Sequence, residues 1–178
     1  SLEAAIEALL RARNQATGAD VSVAVSAILA EVRAHGDAGV IACTQRYDGV
    51  SLTPCTLALT EEECEAGAQQ CPVAVQEALS QAAERITHYH ERQFPQGFSY
   101  HDPHGNQLGM RWQPVNAAGL YVPGGTAANP STVLMNALPA RVAGVPRLVM
   151  VTPAPAGTLN PAVLYAAKLA GVKEIYRI

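Results

Sequence analysis

Apolar positions recur at helical spacing through the first half of the chain and gather into short runs in its last third. Leu2, Ile6, Leu9 and Leu10 fall on one face of a helix predicted over residues 2–13, and Gly18 ends that region. Val25, Ile28, Leu29 and Val32 repeat the spacing in a second helix. It starts near Asp20 or Ser22, either of which can cap it, and Gly36 stops it. Asp37 is the expected cap of a third helix that runs to about Tyr47 and closes at Asp48-Gly49. Residues 51–59 read as extended. Thr60-Glu61-Glu62-Glu63 fits a capping box, in which Thr60 caps and Glu63 reaches back. After Cys71-Pro72 comes the longest helix, residues 73–92, with Val75, Leu79, Ala82, Ala83, Ile86 and Tyr89 as its apolar stripe.

Pro95-Gln96-Gly97 closes the helical part. Residues 98–112 then read as a hairpin turning at Asp102-Pro103-His104-Gly105-Asn106. From Val115 the pattern changes. A strand (115–122) leads to a helix (131–143), a strand (147–152), a Pro- and Gly-rich loop, a helix opened by Asn160-Pro161 and ended near Gly171, and a last strand (174–178). This order predicts a parallel sheet with right-handed crossovers. The expected fold class is therefore α/β. An N-terminal helical cluster with a hairpin (1–112, an incomplete first domain) precedes an incomplete parallel β-α-β-α-β, Rossmann-like sheet (113–178, the first half of a cofactor-binding domain). Ligands of such sheets lie beyond the carboxyl ends of the strands. Because the last strand reaches the final residue, the chain is expected to be a truncated or cleaved piece. An unfinished sheet also calls for oligomerisation or edge pairing.

Composition sharpens this picture. Hydrophobic residues make up 49% and charged residues 15%, so either the core is large or some apolar surface meets another chain or segment. A net charge of −3 with scattered Lys and Arg leaves no basic patch for nucleic acid. No apolar run approaches the roughly 20 residues of a membrane span, and no leader pattern opens the chain, which makes the cytoplasm the default location. Cys43, Cys55, Cys64 and Cys71 form no C-x-x-C pair and are expected to be reduced thiols. His88 and His90 stand two apart, on different faces of a helix end, a poor arrangement for joint metal ligation. His101 and His104 are expected to be exposed near the hairpin turn, and Trp112 to pack at the junction that follows. Glu61 to Glu63 are explained by capping. No Ser-His-Asp set or H-E-x-x-H is present, so no catalytic residue and no metal ligand is assigned within the chain.

The chemistry concentrates at residues 119–139. The apolar strand ends at Tyr121-Val122, breaks at Pro123-Gly124-Gly125 and resumes as a helix near Ser131. Adjacent glycines let backbone N–H groups approach a ligand closely, and a helix N-terminus adds donors and a positive dipole end. The spacing is not that of the dinucleotide fingerprint G-x-G-x-x-G. The turn reads equally as a ligand loop or as a tight strand-to-helix connection.

Gly119-Leu120-Tyr121-Val122-Pro123-Gly124-Gly125, Ser131-Thr132-Val133-Leu134-Met135 and Pro139-Ala140-Arg141-Val142-Ala143-Gly144 together resemble the histidinol dehydrogenase family. The resemblance extends upstream to Val32-Arg33, Gly36-Asp37 and Tyr47-Asp48. Downstream it reaches Leu164-Tyr165-Ala166-Ala167 and Ala170-Gly171-Val172. It implies an aldehyde-dehydrogenase-like architecture in an intertwined homodimer. It also implies zinc-dependent oxidation of L-histidinol to L-histidine in two NAD-dependent steps through an aldehyde-level intermediate, completing histidine biosynthesis. The family's zinc ligands, its glutamate–histidine proton-transfer pair and most substrate contacts lie in the later part of its chain and have no matching positions here. The residue carried over is Tyr121, which the resemblance places against NAD, with Gly124 and Gly125 as the close-approach backbone. Ser131 and Thr132 either add hydroxyls to the site or simply cap the helix. Asn129 shapes the loop, and Arg141 either offsets a phosphate or is solvated. Two other readings remain open: a relative acting on another alcohol, such as a sulfonated diol, and a non-catalytic binding or assembly module.

Overall fold

The computed structural model describes residues 19–124 and 129–178, so the helix predicted over residues 2–13 lies outside the described residues. The chain divides into two compact units, Ser1–Pro54 and Cys55–Ile178.

In the first unit, α1 (Ala19–His35) and α2 (Asp37–Asp48) form a helical pair. Gly36 separates them at φ 56°, a backbone region that a side chain would oppose. Gly36 also occupies the N-cap position expected of Asp37. Asp37 is instead the first helical residue, where its carboxylate complements the helix dipole. Gly39 lets the pair close, because a Cβ there would stand 2.9 Å from the Glu31 carbonyl oxygen. Arg46 donates from both Nη atoms to the Glu31 carboxylate at 3.1 Å. Val25 and Leu29, expected on the buried stripe of α1, are exposed.

The stretch expected to be extended contains a helical turn, α3 (Pro54–Leu57). Proline suits the first position of such a turn, since it has no N–H to leave unpaired. The capping box forms as predicted: Thr60 N–H donates to Glu63 Oε2 at 2.8 Å, and Glu63 N–H donates to Thr60 Oγ1 at 3.1 Å. It opens α4 (Glu61–Gln69), which precedes the long α5 (Val73–Glu91). Leu79 is buried in α5, with Val75, Ala82, Ala83 and Ile86 packed partly against the core, but Tyr89 turns out to solvent.

The hairpin is β1 (Phe98–His101) paired antiparallel with β2 (Gln107–Met110). The Asp102 carboxylate organises its turn by accepting the N–H groups of His104 at 2.9 Å and Asn106 at 2.8 Å. Every residue of both strands is exposed.

The parallel sheet follows in the predicted order, as β3 (Ala118–Tyr121), α6 (Pro130–Val142), β4 (Leu148–Thr152), α7 (Pro161–Ala170) and β5 (Glu174–Arg177). Strand order is β3-β4-β5, with Leu120 opposite Met150 and Met150 opposite Ile175. Both crossover helices use the same punctuation. Each begins Asn-Pro, with the asparagine as N-cap and the proline first in the helix. Each is followed by a left-handed glycine, Gly144 at φ 85° and Gly171 at φ 73°. Val145 and Val172 then donate back across six residues to Ala140 and Ala167, which satisfies carbonyls left open at the helix ends.

The core lies between one face of this sheet and the helices. Leu120, Val122, Met150 and Ile175 pack against Val133, Leu134, Ala137 and Leu138 of α6 and Val163, Ala166, Ala167 and Ala170 of α7. Gly67 of α4 seats directly on Leu164, where a Cβ would collide. The outer edge of β5 is partly covered: Ala58 bridges Tyr176 in antiparallel sense, and Leu59 N–H donates to the Ile175 carbonyl at 2.9 Å. Arg177 secures this arrangement by donating to Glu63 Oε1 at 2.7 Å.

Leu134 is fully buried, so Leu134→Ala is expected to cost about 2–5 kcal/mol in denaturant unfolding. Hydrogen bonds from Arg177 and from the Thr60 N–H hold the Glu63 carboxyl below the usual carboxylate range. A depressed folded-state pKa contributes stability above the unfolded-state value, and that contribution disappears as pH falls through the folded value. In melting curves between pH 7 and 3, Glu63→Gln is therefore expected to be less stable than wild type near neutrality and to approach it in acid.

Candidate functional site

Alternation along the strands divides the sheet. Leu120, Val122, Met150, Thr152 and Ile175 point into the helical layer. Gly119, Tyr121, Val149, Val151 and Tyr176 take the other face. Tyr121 is the last residue of β3, at the carboxyl end of the sheet, and is 58% exposed. Its ring is thus available to a ligand lying across the strand ends, while its neighbours Leu120 and Val122 anchor the strand from below.

The turn after β3 lies beside the loop after β4. Gly124 is partly buried and does not take a left-handed backbone conformation. Its lack of a side chain is required by contact, because a Cβ would collide with the Pro153 carbonyl oxygen. Gly125, the second glycine of the expected pair, lies outside the described residues.

The start of α6 uses its own donors. Pro130 has no N–H. Ser131 N–H donates to Asn129 Oδ1 at 3.2 Å, and Ser131 Oγ donates to the same oxygen at 2.7 Å. Thr132 N–H donates to the Asn129 carbonyl at 3.0 Å. Asn129 is therefore the N-cap, and the Ser131 hydroxyl serves the helix start. The anion-binding capacity expected of a bare helix N-terminus is correspondingly reduced, since these donors already have partners.

Arg141 sits far along α6, toward the amino ends of the strands, where its Nη1 donates to the Leu169 carbonyl at 3.2 Å in the last turn of α7. That contact ties two helix C-termini together and suits the negative end of the α7 dipole. It places Arg141 away from any phosphate at the carboxyl ends. Trp112, expected to be packed, is half exposed. It lines an apolar cleft of about 240 Å³ with His90, Phe94, Pro114, Pro139 and Val142, also on the amino side of the strands.

The other candidates separate. His88 is exposed at the end of α5, beside Arg92 and Glu91. His101 and His104 are exposed in the hairpin. Burial pushes the thiols of Cys64 and Cys71 up, which keeps them protonated and weakly nucleophilic at neutral pH. Among the described residues, no group of three or more His, Cys, Asp and Glu side chains is arranged to hold a metal ion, so they do not fit a zinc site. An exposed tyrosine at a strand end beside a tight turn does fit a flat, polar-edged ligand. Sequence reasoning missed the contact between the turn after β3 and the loop after β4. Pro153-Ala154-Pro155 carries no side chain of obvious chemistry, and the only signal was its place after a strand.

No helix among the described residues is long and apolar enough to cross a membrane. The family model described as histidinol dehydrogenase matches residues 11–178. The histidinol dehydrogenase of Rhodospirillum rubrum is 53% identical over 171 residues, covering 96% of this chain and 39% of the relative. That of Ruegeria pomeroyi is 51% identical over 176 residues, covering 99% of this chain and 40% of the relative. The crystal structure of histidinol dehydrogenase from Elizabethkingia anophelis superposes with a TM-score of 0.83 at 29% identity, over 90% of this chain and 37% of that one. The chain thus spans about two fifths of the length of the curated relatives it matches. A mixed α/β fold with a parallel three-stranded sheet, the glycine turn beside Tyr121 and a family match over nearly every residue lead to one assignment: the chain belongs to the histidinol dehydrogenase family.

Proposed function

We propose that this chain is the N-terminal portion of an NAD-dependent, zinc-dependent histidinol dehydrogenase, and that its part in the reaction is to hold the nicotinamide cofactor. The observation that carries the proposal is the placement of Tyr121, exposed at the carboxyl end of β3, in a chain whose residues 11–178 match the family model. NAD would supply the hydride acceptor, one molecule for the alcohol step and a second for the aldehyde-level step. The residues of this chain do the holding. The Tyr121 ring offers a flat face, and its hydroxyl offers a polar edge. Gly124 and Gly125 keep the turn free of side chains where a cofactor would approach.

In the intact protein, residues 113–178 form the first half of the cofactor-binding domain, and residues 1–112 belong to a first domain completed by later sequence. Zinc ligands and the proton-transfer pair are supplied by that later sequence. The intact protein acts in histidine biosynthesis, in the cytoplasm, as a homodimer. The hairpin supports the dimer: Phe98 and Tyr100, with Leu108 and Met110 opposite them, make an exposed apolar face. Faces of this kind mark association surfaces.

Two measurements test the proposal. Incubated with histidinol, NAD and zinc, this chain alone is expected to produce no NADH above the protein-free control; turnover by these residues would place the catalytic groups inside the chain. In a titration of the chain with NAD followed by amide chemical shifts, Tyr121→Ala is expected to weaken binding about tenfold. Equal affinity in the two proteins would remove Tyr121 from the cofactor site.

A further inference from the structure

We infer that the backbone carbonyl of Pro153 is the stop against which the cofactor turn is set, making the loop after β4 a positioning element for the loop after β3. Gly124 has no conformational need to be glycine, since its backbone is not left-handed. What it needs is space. A Cβ there would overlap the Pro153 carbonyl oxygen, and it would also stand 3.0 Å from both the Pro153 carbonyl carbon and its Cβ.

One of the two loops has to yield if that space is filled, and the surrounding contacts decide which. The loop after β4 is pinned. Val151 O accepts the Val122 N–H at 3.0 Å, Thr152 O accepts the Ile178 N–H at 3.2 Å, and Thr152 and Ala154 are 2% and 3% exposed on either side of Pro153. Pro153 also has little freedom in φ. The turn at Pro123-Gly124 is only partly buried. An added methyl group therefore moves the turn further than it moves Pro153, and the crowding is felt on both sides of the contact. Gly124 is thus a contact glycine whose effect on cofactor passes through Pro153. The reading of its effect on binding rests on the proposal that this turn holds NAD.

Gly119 supplies a matched control. It lies in β3, two residues before Tyr121, and a Cβ built on it meets nothing within 4 Å. The experiment compares wild type, Gly124→Ala and Gly119→Ala as isotope-labelled proteins, first without ligand and then titrated with NAD. Without ligand, Gly124→Ala is expected to keep a cooperative melt and to shift the amides of residues 120–122 and 124 and of Thr152 and Ala154, whereas Gly119→Ala leaves the last two unmoved. With NAD, Gly124→Ala is expected to bind about tenfold more weakly than Gly119→Ala. Unmoved amides at Thr152 and Ala154 in Gly124→Ala, or undiminished NAD affinity, would overturn the inference. If wild type fails to bind NAD, the cofactor proposal falls, and the ligand-free comparison still decides whether Pro153 sets the turn. If Gly124→Ala fails to fold, Gly124→Ala combined with Pro153→Gly becomes the deciding protein. Pro153→Gly keeps the carbonyl oxygen but removes the ring that fixes φ and the Cβ, so the carbonyl can swing aside: recovered folding supports the contact, and continued failure to fold counts against it.

Discussion

The second unit depends on burial of one face of its three-stranded sheet beneath α6 and α7. Met150 at the centre of the middle strand is fully buried, as are Val133, Leu134 and Ala137 above it. Apolar burial is the main favourable term available to a unit of this size, and it acts here through one contiguous cluster. Once that face is buried, strand alternation leaves little choice about the rest. Tyr121, Val151 and Tyr176 must take the opposite face, and the carboxyl ends of all three strands must open on the same side. The site is a consequence of that packing.

The surroundings of Tyr121 are built more from backbone than from side chains. Asn129 takes up the first donors of α6, so the helix contributes less to an anion site than its position suggests. Gly124 and Pro153 meet without a side chain between them. Among the described residues, Tyr121 is the one exposed large side chain at the strand ends of β3 and β4. Among the described residues, no group of three or more His, Cys, Asp and Glu side chains is arranged to hold a metal ion.

Exposed apolar surface is the other theme. On the sheet face bearing Tyr121, Gly119 and Tyr121 are exposed and Val149, Val151 and Tyr176 are only partly buried, and the hairpin shows Phe98, Tyr100, Leu108 and Met110 to solvent. A lone two-stranded hairpin is marginal in water, so a face of this composition needs cover. The low charge fraction of the chain has its structural counterpart in these uncovered surfaces. At the β5 edge, by contrast, the chain supplies its own cover through Ala58, Leu59 and the Glu63–Arg177 pair.

The sequence by itself determined the elements whose signals are local. An Asn-Pro start and a glycine stop bound the second crossover helix, Thr60 and Glu63 mark a capping box, and Asp102 to Asn106 mark a turn, because each rests on bonds within a few residues; at the first crossover helix the cap is Asn129, ahead of the expected Ser131 or Thr132. It also determined the β-α-β-α-β order and, through the residues around Tyr121, the family. Tertiary structure decided whatever depended on distant partners. The stripe of α1 proved exposed at Val25 and Leu29, because periodicity reports a face without its cover. Residues 54–57 became a helical turn, with Ala58 just beyond it bridging to a strand more than a hundred residues away. Arg141 was claimed by a carbonyl of α7, and Gly124 by the carbonyl of Pro153. A residue pattern cannot show such contacts, since each is set by where the buried sheet carries the two ends of the chain that meet there.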